Sequence, residues 1–233
     1  MGNSDIEYSI VAPFFNEEKS IKPLYESIKK TMDSLGGSYE IVFINDGSTD
    51  GTADSLREIE QRDDKVIIID SQVKSGQTKA LRTGFAKAGG KIVISMDGDM
   101  QNDPNDIPEL ITELKKGYDF VCGWRYQRKD PFSKKIASKF GNFMQKKVFK
   151  SNLHDISCTL RAYTNKAIKE LPLKKNGAHR FIPYLLMMKG KRASEVRVSH
   201  YYRPYGKTKY GISRPFKVAY DFLTLLFNRK SWF

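Results

Sequence analysis

Asp97, Asp99 and Gln101 stand within one short stretch, "MDGDMQNDP" (96–104), and Asp103 follows two residues later. Carboxylates this close repel one another unless a positive charge sits between them. They also stand out in a basic chain whose formal net charge is +13. Hard carboxylate oxygens beside the Gln101 amide suit Mg²⁺ or Mn²⁺. Such ions keep several waters and bind through one or two carboxylates plus substrate phosphates, so a nucleoside diphosphate is the natural further ligand. The bland alternative is an Asx-type turn before a helix, with Gly98 supplying the bend. Neither GxxxxGK[ST] nor GxGxxG occurs, which removes the P-loop and dinucleotide routes to a phosphate.

The elements that must position these residues repeat along the first half. Apolar, β-branched runs, "YSIVAPF" (8–14), "EIVFIND" (40–46), "KVIIID" (65–70), "KIVISMD" (91–97) and "YDFVCGW" (118–124), alternate with helical patterns. Continuous hydrophobic strands separated by helices predict an α/β fold, with a Rossmann-like, mostly parallel sheet covered on both faces. Asn16 is expected to cap the first helix. In such sheets ligands sit outside the carboxyl ends of the strands. Pro13, Asn16 and Glu17 follow the first strand, Asp46, Ser48 and Asp50 the second, Asp70 the third, and Asp97, Asp99 and Gln101 the fourth. Each group alone reads as a turn or a helix cap, whereas four polar strand ends converging on one edge predict a site.

After Trp124 the rhythm changes, and the chain divides into halves of 1–124 and 125–233 within a single domain. A basic amphipathic helix is expected over 131–149, with Ile136, Phe140, Phe143, Met144 and Val148 on one face and lysines around it. It either packs on the core or lies on an anionic leaflet, where each basic residue contributes about 1 kcal/mol. The segment from Phe216 to Phe233 offers a second contact of the same two kinds. Two cysteines, Cys122 and Cys158, are too few for a disulfide framework and suit a reducing compartment. No secretory signal opens the chain, and no window reaches the roughly 18 apolar residues of a membrane span. The basic balance alone leaves nucleic acid, an anionic membrane face and phosphorylated substrates open.

"SIVAPFFNEEKSI", "EIVFINDGSTDGT", "KSGQTKALRTGF" and "MDGDMQNDP" resemble, in this order, the motifs of family 2 inverting glycosyltransferases with the GT-A fold. In the second half, "GWRYQRKDPFSKKIASK", "HDISCTLRAY", "HRFIPYLLMMKG" and "YGKTKYGISR" resemble the polyprenyl-phosphate glycosyltransferases of the dolichol-phosphate mannose synthase type. The resemblance implies metal-dependent transfer of a sugar from a UDP- or GDP-sugar to a polyprenyl phosphate. Under it, Pro13, Asn16, Glu17, Asp46 and Ser48 would hold the nucleoside, and Gln77 and Lys79 would lie near the diphosphate. Asp97 and Asp99 would form the DxD motif, with Asp99 and Gln101 as the more direct ligands of Mg²⁺ or Mn²⁺ and Asp97 shared with the ribose. Arg125, with Arg128 or Lys134, would bind the acceptor phosphate. His179, Arg180 and Lys207 would approach the sugar or diphosphate, and Lys207 would steady the departing diphosphate.

The chain shows no obvious general base after residue 125 and no QxxRW-type motif. A polyprenyl phosphate is already an anion, so it needs orientation and charge neutralisation instead of deprotonation. Many relatives of this kind continue into transmembrane helices, while the sequence given stops at Phe233. Either the protein is peripheral on the cytoplasmic membrane face, as some members of the family are, or the sequence given is a piece of a longer protein; a homo-oligomer or a membrane-protein partner is a further expectation. Three rivals remain. A nucleotidyltransferase should carry a basic, glycine-rich loop after strand one, where this chain has the acidic "APFFNEE". A nucleic-acid-binding protein would use "YYRPYGKTKYG" but leaves the strand-end carboxylates unexplained, so no nucleic acid is expected. A transferase acting on a glycan hydroxyl is the third.

Overall fold

The computed structural model describes residues 6–126, 153–205, 220–222, 224, 225, 227, 228 and 232. Arg128, Lys134, Lys207 and the expected helix over 131–149 lie outside the described residues.

Seven strands form one sheet: β1 (Tyr8–Phe14), β2 (Tyr39–Asp46), β3 (Val66–Ser71), β4 (Ile92–Ser95), β5 (Phe120–Arg125), β6 (Arg161–Thr164) and β7 (Ala193–Val198). Their order is β3-β2-β1-β4-β6-β5-β7. All neighbours pair in parallel except β6, which runs antiparallel to both β4 and β5. Helices α1 (Glu18–Leu35), α2 (Thr52–Glu60), α3 (Gln77–Lys87) and α4 (Ile107–Leu114) connect the first five strands; α5 (Asn165–Lys169) and α6 (Ile182–Met188) follow β6.

Successive strand residues point to opposite faces, so strands this apolar feed a core on each side. Ile10, Ala12 and Phe14 of β1 join Ile41 and Phe43 of β2 on one face, under Ile21, Leu24, Ile28 and Met32 of α1. Val11, Val42 and Ile44 point the other way, toward Ala80, Leu81 and Phe85 of α3. Gly84 lets α3 lie that close, since a Cβ there would come within 2.5 Å of Val11 Cγ1. Truncating a core side chain such as Leu24 to alanine would cost about 2–5 kcal/mol.

The antiparallel strand decides what meets what. Parallel β1, β2, β3, β4, β5 and β7 all end at one edge of the sheet, whereas β6 begins there. The residues that precede β6 therefore arrive beside the ends of β4 and β5, with Ser95 opposite Arg161 and Cys122 also opposite Arg161. Trp232 is fully buried and packs edge-on against Phe181 at 5.4 Å, so it belongs to the core and not to a membrane contact. Leu225 is buried too, while Tyr220 and Phe227 are exposed. Among the described residues, no helix is long and apolar enough to cross a membrane.

Candidate active site

Asn16 does not cap α1. It takes a left-handed backbone conformation (φ 51°), and Glu17 occupies the N-cap without a side-chain capping bond to the helix N–H groups. Its role is to tie the first two strand ends together. The Asn16 N–H donates to Ser48 Oγ (2.9 Å), and its Oδ1 accepts from the Thr49 N–H (2.8 Å). Pro13 lies one residue before the end of β1, opposite Ile44. Glu17 is buried; its N–H donates to Thr52 Oγ1 at 2.9 Å, and its carboxylate accepts from the Arg203 guanidinium.

Asp46 closes the next gap. Its Oδ1 accepts from the Ser75 N–H (2.7 Å) and Ser75 Oγ (2.8 Å), and its Oδ2 accepts from the Gly76 N–H (2.8 Å). A buried carboxylate with that many donors fixes the loop ahead of α3. The residue after Gly76 is already at the acidic pair: Gln77 Nε2 donates to Asp97 Oδ1 at 2.8 Å. Ser48, Asn16, Asp46, Gln77 and Asp97 thus form a continuous rim along the ends of β1, β2 and β4.

Gly98 is present for space. A Cβ there would stand 2.5 Å from Phe14 Cδ1, whereas the left-handed turn falls on Met100 at φ 59°. The expected glycine bend is therefore a close approach, and the backbone strain sits two residues later. Burial and the neighbouring Asp97 carboxylate push the Asp99 carboxyl up to about 6, against the pull of the Arg203 guanidinium. Two carboxylates that resist ionising together are suited to a cation. Asp99 Oδ1 accepts from the Gln101 N–H (3.2 Å), and Gln101 Nε2 donates to the Tyr201 carbonyl (3.2 Å), leaving Oε1 as the Gln101 atom for a metal. Among the described residues there is no cluster of three or more His, Cys, Asp or Glu that could hold a metal. Two carboxylates and an amide nevertheless fit Mg²⁺ or Mn²⁺, which take the rest of their ligands from water and phosphate.

The segment after β7 folds over this loop. Tyr201 N–H donates to the Gln101 carbonyl at 3.0 Å, Tyr201 Oη to Asp103 Oδ2 at 2.9 Å, and Asn102 bridges His200. Arg203 then reaches both Glu17 and the field of Asp99. Sequence reasoning passed over Arg203, since a single arginine in a basic run looks like a solvated one.

The second half divides the remaining expected residues. His179 Nδ1 lies 2.7 Å from Thr78 Oγ1, which also accepts from the Gly177 N–H at 2.9 Å, so His179 is buried against the first turn of α3. Arg180 turns to Asp221 Oδ2 at 3.4 Å. Lys79 faces away from Gln77, as residues two apart on a helix do, and lines a pocket with Arg82 and Lys174. At the end of β5, Arg125 Nε and Nη2 grip Asp155 Oδ2 (2.6 Å) and Oδ1 (2.9 Å), and Nη2 also donates to Ser157 Oγ (2.8 Å). Asp155 is the other residue missed, a carboxylate in the second half of the chain delivered by the antiparallel entry to β6.

The sequence pattern of Glycosyl transferase family 2 matches residues 9–172, which spans every strand end just described up to β6. The chain belongs to glycosyl transferase family 2. This family 2 glycosyltransferase is 39% identical over 227 residues to a dodecaprenyl-phosphate galacturonate synthase from Rhizobium johnstonii, covering 95% of this chain and 67% of the relative. It is 37% identical over 219 residues to an undecaprenyl-phosphate 4-deoxy-4-formamido-L-arabinose transferase from Proteus mirabilis, covering 94% and 67%. Its fold is that of GT-A glycosyltransferases. Glucosyl-3-phosphoglycerate synthase from Mycobacterium tuberculosis, solved with Mn²⁺, UDP and phosphoglyceric acid, superposes with a TM-score of 0.68 at 20% identity, over 85% of this chain and 72% of that one. A mannosyltransferase from Pyrobaculum calidifontis, solved with GDP-Man and Mn²⁺, gives 0.63 at 17% identity, over 82% and 56%. At those identities the likeness is one of fold.

Proposed function

We propose that this glycosyltransferase moves a sugar from a UDP- or GDP-sugar to a polyprenyl phosphate, with inversion, at the cytoplasmic face of a membrane. The observation that carries the reading is the match to the galacturonate synthase along 95% of the chain. It extends through the segments that hold Arg125, Asp155 and Arg203. Pro13, Asn16, Glu17, Asp46 and Ser48 hold the nucleoside, directly or by fixing the loops around it. Asp97, Asp99 and Gln101 hold Mg²⁺ or Mn²⁺, which supplies charge neutralisation for the diphosphate.

The acceptor side supports a reaction without a general base. Asp155 is the carboxylate that meets Arg125, the expected phosphate ligand, and the guanidinium holds it in a bidentate pair. Both of its oxygens are committed to the guanidinium, so it is not placed to take a proton from an acceptor. It serves instead to pin the arginine, and a pinned guanidinium orients a phosphate better than a mobile one. An oxygen of the acceptor phosphate forms the new bond to the anomeric carbon. The bond from that carbon to the diphosphate breaks, and its electron pair leaves with the diphosphate. Lys207, Arg128 and Lys134 are proposed to assist by charge.

The test is an acceptor competition. Undecaprenyl phosphate, a glycan hydroxyl acceptor and no acceptor are each incubated with the chain, Mn²⁺ and a panel of UDP- and GDP-sugars. The proposal expects a lipid-phosphate-linked sugar from one donor. Transfer to the glycan with none to the lipid would assign the hydroxyl-acceptor reading.

A further inference from the structure

We infer that the outer face of α3 carries a second anion site, separate from the donor edge, which takes a phosphate group between Lys79, Arg82 and Lys174. A cavity of about 150 Å³ is lined there by Ser75, Thr78, Lys79, Arg82, Leu173, Lys174 and Asn176. Lys79 and Arg82 are three apart on α3 and therefore share a face. Lys174 approaches from the segment between α5 and α6. Among the described residues, no carboxylate lines the cavity. Among the described residues none of the three cations has an ion-pair partner, although Arg57, Arg125, Arg180 and Arg203 all do.

The segment that supplies Lys174 is held in an unusual backbone state. Leu173 is buried with φ 42°, a left-handed conformation that a branched side chain rarely adopts. Strain of this kind persists where the surrounding structure demands it, and it marks places where geometry matters. Here it places Lys174 beside α3, where its exposed side chain lines the cavity. Three like charges brought together in this way repel, and a phosphate dianion removes the repulsion while accepting charge-assisted hydrogen bonds from all three. Asn176, whose amide lies 3.7–3.8 Å from where a Cβ on Gly76 would be, adds a neutral donor at the rim.

The site adjoins the donor edge through Ser75, which also donates to Asp46, but its three cations stand on the other side of α3 from Gln77. Gln77 turns to Asp97, Thr78 is buried under His179, and Lys79 emerges on the far side. The inference does not depend on which acceptor the enzyme uses. A free phosphate compound and the headgroup of an anionic phospholipid present the same chemistry, and the experiment separates them.

Arg82→Ala/Lys174→Ala removes two exposed charges and leaves Lys79 and the donor residues intact. Lys166→Ala/Lys169→Ala, on exposed positions elsewhere, is the charge-matched control. Inorganic phosphate binding is measured by calorimetry in EDTA. Vesicle binding is measured by sedimentation with phosphatidylglycerol and with phosphatidylcholine alone. A phosphate affinity weakened about tenfold or more in the Arg82/Lys174 variant and kept in the control supports the site with a free phosphate as its ligand. Loss of phosphatidylglycerol binding in that variant alone supports it with a lipid headgroup. Equal behaviour of both variants and the parent in both assays overturns the site. So does a parallel loss of nucleoside diphosphate binding with Mn²⁺, since the pocket would then belong to the donor edge.

Discussion

The ends of β4 and β5 solve opposite electrostatic problems. At β4 two carboxylates crowd together, and the Asp99 carboxyl is driven up to about 6 because burial and Asp97 disfavour its charge. At β5 the charge is already matched, since Arg125 meets Asp155 through two hydrogen bonds of 2.6 and 2.9 Å. The first arrangement is incomplete without an added cation. The second is complete and rigid, and it is suited to hold still while an anion docks. Under the proposed function, a ligand-dependent donor side next to a preset acceptor side is what an enzyme needs when its donor arrives with a metal and its acceptor arrives charged.

The comparison breaks most readily at β4. Asp99→Asn keeps the shape but removes the charge, and turnover should fall about 10²–10³-fold, the scale of losing one preorganised charge contact. A variant that retains half of its activity in steady-state assays would mean the pair is only a turn. At β5, Arg125→Ala leaves Asp155 buried without its cation and should cost about 3 kcal/mol in denaturant unfolding. The Arg125→Ala/Asp155→Ala double variant should cost less than the sum of the single changes. In kinetics, Arg125→Ala should raise the KM for lipid phosphate far more than the donor KM; equal rises would remove its acceptor role.

A finer difference is in pH. Without metal, the folded protein holds the Asp99 proton up to about pH 6, whereas an unfolded chain releases it near 4. The folded state binds that proton more tightly. Its contribution to stability is therefore full below about pH 4 and lost as the pH rises through 6, a change on the order of 3 kcal/mol. Thermal melts in EDTA should show this slope in the parent and lack it in Asp99→Asn. The smallest effect is expected at Tyr201→Phe, which loses the hydrogen bond to Asp103. It should cost about 1 kcal/mol of stability and loosen the closing segment without abolishing metal-dependent donor binding.

The polar rim at the strand ends was legible in the sequence because parallel strands display it locally. Each polar end directly follows its own apolar run, so the order of residues along the chain is enough to gather Asn16, Ser48, Asp46 and Asp97 onto one rim. Asp155 was not legible. It meets Arg125 across 30 residues through a strand of only four, Arg161–Thr164, whose antiparallel direction no periodicity announces. Arg203 meets Glu17 across 186 residues, farther still. Trp232 was misleading for a different reason, since an aromatic near a basic C-terminal segment suits a core and a membrane surface equally. Asn16 has the residue type of a helix cap, yet its positive φ and its bonds to residues 48 and 49 commit it to bridging two loops.

The central claim is that Asp97 and Asp99 hold a divalent cation which in turn holds the donor's diphosphate. Calorimetric titration of UDP and of GDP into the wild-type chain, with Mn²⁺ and with EDTA, tests it most directly. The account predicts that one of the two binds in Mn²⁺ and that its affinity falls at least about tenfold in EDTA. Binding of equal strength with and without the metal would contradict it.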